Sequence, residues 1–143
     1  MMNGYIEECE QFLKDSNINT FKVSEWKKLI TDEDMDPVEY DRLILYFAVN
    51  IEKDNIIYAF KGEYPEFLNA IYDTIYEKIK DKKFRGQIDI FSQIGVVLIA
   101  EQLTTIVSPD NSVLSVFISF VLLEVSKMGI DAWCKYYEWK RKQ

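Results

Sequence analysis

Histidine is absent from this chain. With it go the commonest general base, the Ser-His and Cys-His nucleophile pairs, and the Glu-x-x-His ligand pairs of di-iron helical bundles. There is no Gly-x-Ser-x-Gly and no glycine-rich phosphate loop, so the usual signatures of nucleophilic hydrolases and nucleotide-binding enzymes are missing. The two cysteines, Cys9 and Cys134, are too few and too far apart for a disulfide framework, which points to a reducing compartment and hence the cytoplasm. The opening MMNGYIEECE has no basic region and no apolar run, so no secretory signal is expected. Five glycines and three prolines are few for 143 residues. Such a chain suits long helices joined by short connections.

What is present is apolar bulk. Apolar residues make up 48% of the sequence, including nine Phe, nine Tyr and three Trp, which excludes a disordered chain. The length fits one domain, residues 1–143, able to bury a core without disulfides or metal. The net charge is −7, and all of it lies in the first part: residues 1–83 hold 11 Lys/Arg and 18 Asp/Glu, residues 84–143 six of each. An acidic chain is poorly suited to nucleic acid, whose non-specific binding is driven by phosphate neutralisation.

The most apolar stretch, Ile88 to Val125, predicts a central helical hairpin. Its arms, Ile94–Val107 and Val113–Val125, flank the polar break Ser108–Ser112. Neither arm alternates, and each is too long for an ordinary strand. Both are shorter than the roughly 20 residues a membrane span needs, so they read as buried core helices. Ser112, Ser115, Ser119 and Ser126 form a stripe of small side chains at helical spacing. Such a stripe allows close helix packing, with each hydroxyl returning a bond to the carbonyl one turn back. A homodimer seam is the alternative use of this face.

Around the hairpin, period 3.6 predicts amphipathic helices. One covers 4–16, with Tyr5, Ile6, Cys9, Phe12 and Leu13 on one face; a short one covers 25–30, capped by Ser24. Asp36-Pro37, with Glu39 following, is a strong helix start. That helix is expected to continue to about residue 60 and stop at Gly62. Pro65 opens another, with Phe67, Leu68, Ile71, Tyr72, Ile75, Tyr76 and Ile79 inward; Arg85-Gly86 is a hinge, and Met128-Gly129 a kink before the tail. The expected fold is all-α, a compact bundle of about five or six helices.

Four groups of residues carry functional expectations. The run Asp32, Asp34, Asp36 resembles the start of a calcium loop, but Pro37 and Leu43 occupy the positions that need Gly and Glu, so it reads as an acidic turn with an N-cap. Glu7 with Glu10, and Asp73 with Glu77, have the spacing of a carboxylate magnesium site, though both pairs fall on outward faces. Glu101 and Glu124 are carboxylates inside apolar helices, where burial demands a partner or a raised pKa. The tail mixes Trp133, Tyr136, Tyr137 and Trp139 with Lys135, Lys140, Arg141 and Lys142. That composition suits a docking surface, or alternatively the last helix of the bundle.

These features favour a non-enzymatic protein–protein interaction module without cofactor: a small acidic regulator or inhibitor, of the kind used in microbial or phage defence and counter-defence. Its expected docking residues are the tail aromatics and the 31–41 acidic segment. The alternatives are a membrane-associated immunity or pore-type protein using the 88–125 hairpin, and a magnesium-dependent hydrolase with carboxylate ligands.

Overall fold

Nine consecutive residues of one helix, Phe117 to Val125, are buried on every side, and the remaining helices are arranged around them. The computed structural model describes residues 3–52, 66–106 and 111–143. Among these residues there are eight helices and no strands: α1 Asn3–Asp15, α2 Thr20–Thr31, α3 Pro37–Glu52, α4 Glu66–Lys80, α5 Lys82–Gln87, α6 Gln93–Leu103, α7 Asn111–Met128 and α8 Ile130–Arg141. The all-α class and the compact bundle match the sequence expectation, with more and shorter helices than five or six.

The axis of the bundle is α7, which packs against α1, α2, α3, α4, α6 and α8. The phenylalanines of α7 join the others in a lattice of edge contacts: Phe117 with Phe120 at 4.9 Å, Phe67 with Phe117 at 5.5 Å and Trp26 with Phe120 at 5.6 Å between ring centroids. Edge-to-face pairs of this kind favour one arrangement of large rings over many. The serine stripe is not one continuous surface. Ser119 is buried and its hydroxyl donates to the Ser115 carbonyl at 2.9 Å, which is the turn-back bond expected of a packed helix. Ser112 and Ser126 are exposed at the two ends.

Local chemistry explains most boundaries. Helix α1 buries Tyr5, Cys9 and Leu13 and ends where Asn17 takes φ 58°. Asn tolerates that left-handed conformation, and the turn lets the Ile18 amide bond back to Leu13. Helix α2 corrects the sequence reading: it begins at Thr20 rather than 25. Asn19, not Ser24, is the N-cap, its side chain accepting from the Phe21 amide at 2.8 Å. An Asx cap just after the α1 turn lets the second helix start at once. Asp36 caps α3 as expected, accepting from the Val38 amide at 3.0 Å. The expected extension of this helix to residue 60, its stop at Gly62 and the start at Pro65 lie outside the described residues.

The hinge at Arg85-Gly86 is replaced by the short helix α5, capped by the Asp81 carboxylate. The chain turns after it, where Asp89 accepts from the Phe91 amide and Ser92 caps α6 by accepting from the Gly95 amide. Gly95 is required there: a Cβ would sit 2.7 Å from the Ile90 carbonyl oxygen. At the other end of the hairpin Gly129 takes φ 92° and ψ 147°, a conformation L-residues strongly resist. It bends the chain by 116° between Ser112–Met128 and Ile130–Arg141, folding α8 back onto α4 and α7.

Candidate functional site

The bend at Gly129 brings the aromatic tail against a set of buried polar groups. Asp41, on α3, is 2% exposed. It is placed there by spacing: Asp41, Ile44 and Ala48 share the inward face of α3. Four groups converge on its carboxylate. The Tyr72 hydroxyl of α4 donates to Oδ1 at 2.6 Å. The Tyr136 hydroxyl of α8 donates to Oδ2. The Lys140 ammonium, also on α8, reaches Oδ2 at 2.8 Å and lies 3.8 Å from the centre of the Tyr72 ring. The fourth is the Glu124 carboxyl of α7, within hydrogen-bonding reach of Asp41. A carboxylate has about four lone-pair sites, and the three donors leave one of them facing Glu124.

Glu124 is 0% exposed. Its Oε1 accepts from the Trp133 indole N–H at 2.8 Å, while Oε2 has no donor directed at it. Burial first, and the Asp41 charge second, push the Glu124 carboxyl well above the ordinary carboxylic range, against a smaller opposing pull from Lys140. Beside this pair, Tyr40 donates its hydroxyl to the Phe120 carbonyl at 2.7 Å. Burial also raises Tyr40 well above the usual phenol range. The Trp26 indole N–H lies next to that hydroxyl but outside good hydrogen-bond geometry.

A second polar seam ties α8 to α4 nearer the surface. Tyr137 donates to Asp73, which Arg141 approaches at 3.5 Å, and Tyr76 donates to Glu138. The rings of Tyr76 and Tyr137 stack at 4.4 Å, and Tyr137 stacks on Trp133 at 5.5 Å.

The residues named from sequence therefore separate. Trp133 and Tyr137 are buried and Tyr136 is half-buried. These three belong to the core and the α8 seam rather than to a free docking face, because the Gly129 bend turns their side of α8 inward. Trp139 is 52% exposed and stacks on Tyr136. Asp32, Asp34 and Asp36 are exposed. Asp32 closes α2 and accepts from the Asp34 amide, and Asp36 caps α3, so all three side chains lie along the turn between those helices. Of the two helix-embedded glutamates, Glu101 emerges to solvent and Glu124 is sealed in. Glu10 is paired with Lys14 and Lys27, and Asp73 with Tyr137 and Arg141. Among the described residues no group of three or more acidic or Cys side chains could hold a metal ion. Cys9 and Cys134 are free and buried, their thiols pushed up by burial.

Sequence reasoning missed Asp41. Its signal was its register with Ile44 and Ala48, masked by the neighbouring run of surface acids. It missed one other feature. Helix α6 buries Val96, Ile99, Ala100 and Leu103, and leaves Ile94, Val97 and Leu98 on its opposite side exposed, with Ile106 exposed just beyond its end. Gln93, Glu101 and Gln102 border this apolar strip.

No family model, curated protein or solved structure matches the chain.

Proposed function

We propose that the protein acts without catalysis, by binding another protein as a small acidic regulator or inhibitor. The observation that carries this reading is the outward face of α6. Three large aliphatic side chains at positions i, i+3 and i+4 stand in water, Ile94 at 64% exposure, within a border of polar side chains. An apolar strip rimmed by polar groups is a common form of protein docking site. Exposed Trp139, stacked on Tyr136, is a second contact point of the type that dominates interface energy. The net charge of −7 favours a basic partner surface and disfavours nucleic acid. Two free thiols are compatible with a reducing compartment.

A membrane-associated role is the second reading. No single described helix is long and apolar enough to cross a bilayer; the bent pair formed by α7 and α8 passes on length and composition alone. Burial of Phe117–Val125 inside the bundle weighs against it.

The test is affinity capture of the tagged chain from native lysate, soluble and membrane fractions kept apart, beside the double variant Val97→Asp, Leu98→Asp. The expected result is a stoichiometric soluble protein retained by the parent chain and lost by the folded variant. Equal recovery by both chains would remove α6 as the docking face. Recovery from the membrane fraction alone would favour the second reading.

A further inference from the structure

We propose that Asp41 and Glu124 share a single proton, and that this proton latches α8 onto the bundle. Two carboxyl groups lie together in a region closed to water, Asp41 at 2% and Glu124 at 0% exposure. Asp41 accepts from Tyr72, Tyr136 and Lys140. A group so surrounded by donors is the charged member. Glu124 Oε2 is a buried oxygen with no donor aimed at it, next to an acceptor that has room for one more proton. Two carboxylates in contact repel, and an orphaned buried oxygen is costly. A proton on Oε2, donated to Asp41, removes both defects.

The groups facing this pair come from every side. Tyr40 and Asp41 lie on α3, Tyr72 on α4, Glu124 on α7, and Tyr136 and Lys140 on α8. Beside Tyr40 lie Cys9 of α1 and the uncharged indole of Trp26 of α2. Among the described residues Lys140 is the one cation in this group, and its ammonium meets the Asp41 carboxylate. Ionising Glu124 would leave a second charge buried and unmatched.

The latch joins α8 twice. Trp133 donates to Glu124, and Tyr136 with Lys140 holds Asp41. Losing the proton therefore loosens α8 before the rest of the bundle. The sign follows from linkage. Folded Glu124 holds a proton that the opened form releases above the ordinary Glu range, so opening becomes easier as pH rises. Burial and the Asp41 charge, which push this carboxyl upward, extend that window through neutral pH.

The experiment compares amide exchange of the full chain with that of Glu124→Gln, whose amide preserves both bonds and cannot ionise. At each pH the ratio of parent to variant cancels the intrinsic exchange rate. From pH 5 to pH 8 the α8 ratio is expected to rise by up to about tenfold per pH unit, the limit for one linked proton. Amides of α1 that open locally should show no such rise. A flat α8 ratio would overturn the latch. Should the variant fail to fold, side-chain carboxyl carbon shifts of the parent chain decide at pH 7. One protonated carboxyl in the pair supports the proposal, and two ionised ones overturn it.

Discussion

Helices α6 and α8 each depart on one side from what their compositions suggest. Apolar α6 holds Ile94, Val97 and Leu98 out in water, whereas α8, rich in Lys and Tyr, buries Trp133 and Tyr137. The difference teaches that position in the bundle, rather than mean hydropathy, decides which side chains are sheltered. Helix α6 packs mainly on α7 and α4, so it has one covered side and one bare side. Helix α8 is turned back by Gly129 across α4 and α7, where its aromatic rings find partners. A polar helix can bury its aromatic side when the polar atoms on that side are met, as the Trp133–Glu124 and Tyr136–Asp41 bonds show.

That contrast can be broken at graded cost, read as unfolding free energy from denaturant titration. Trp133→Ala should lose about 3–5 kcal/mol, the usual cost of deleting a buried ring; a loss under about 1 kcal/mol would mean that α8 is not part of the core. Asp41→Ala removes the buried carboxylate shared by Tyr72, Tyr136 and Lys140, and should cost about 3 kcal/mol, the lower end for removing one partner of a buried pair. Gly129→Ala should cost about 1–3 kcal/mol through backbone strain at φ 92°, with a neutral result meaning that α8 takes another path. Smallest is Val97→Ala, within about 0.5 kcal/mol, as for surface positions generally. A large loss there would show that the bare face of α6 is covered, and would sharpen the search for what covers it.

Burial separates two glutamates in the same way. Glu101 on α6 and Glu124 on α7 are both glutamates in apolar helices, and they differ only in what surrounds them. Glu101 emerges into solvent, while Glu124 meets Asp41, Trp133 and no water. Glu124 is therefore expected to link stability to pH, weakening the fold as pH rises above the ordinary Glu range.

The sequence by itself determined the class, the extent of α1 to within a residue, the start of α3 and the break at Gly129. Runs of Ile, Val, Leu and Phe without alternation require helices. Asp36-Pro37 and the Gly129 bend are local chemistry, readable without any fold. The stripe from Phe67 to Ile79 states which side of α4 faces inward. Even Glu124 stands out as a charge where none is cheap. Other features depended on long-range contact and could be decided only by tertiary structure. Which apolar helix became the axis depended on how many neighbours reached each one, a property of the packed bundle and not of either segment. The partner of Glu124 lies far away in sequence, at Asp41, and the two meet only because α3 and α7 cross there. The tail aromatics could be read as a docking surface or as the last helix of the core. The 116° bend at Gly129 settled it for Trp133 and Tyr137, because burying large rings against α4 and α7 removes more apolar surface from water than any local arrangement of the tail could.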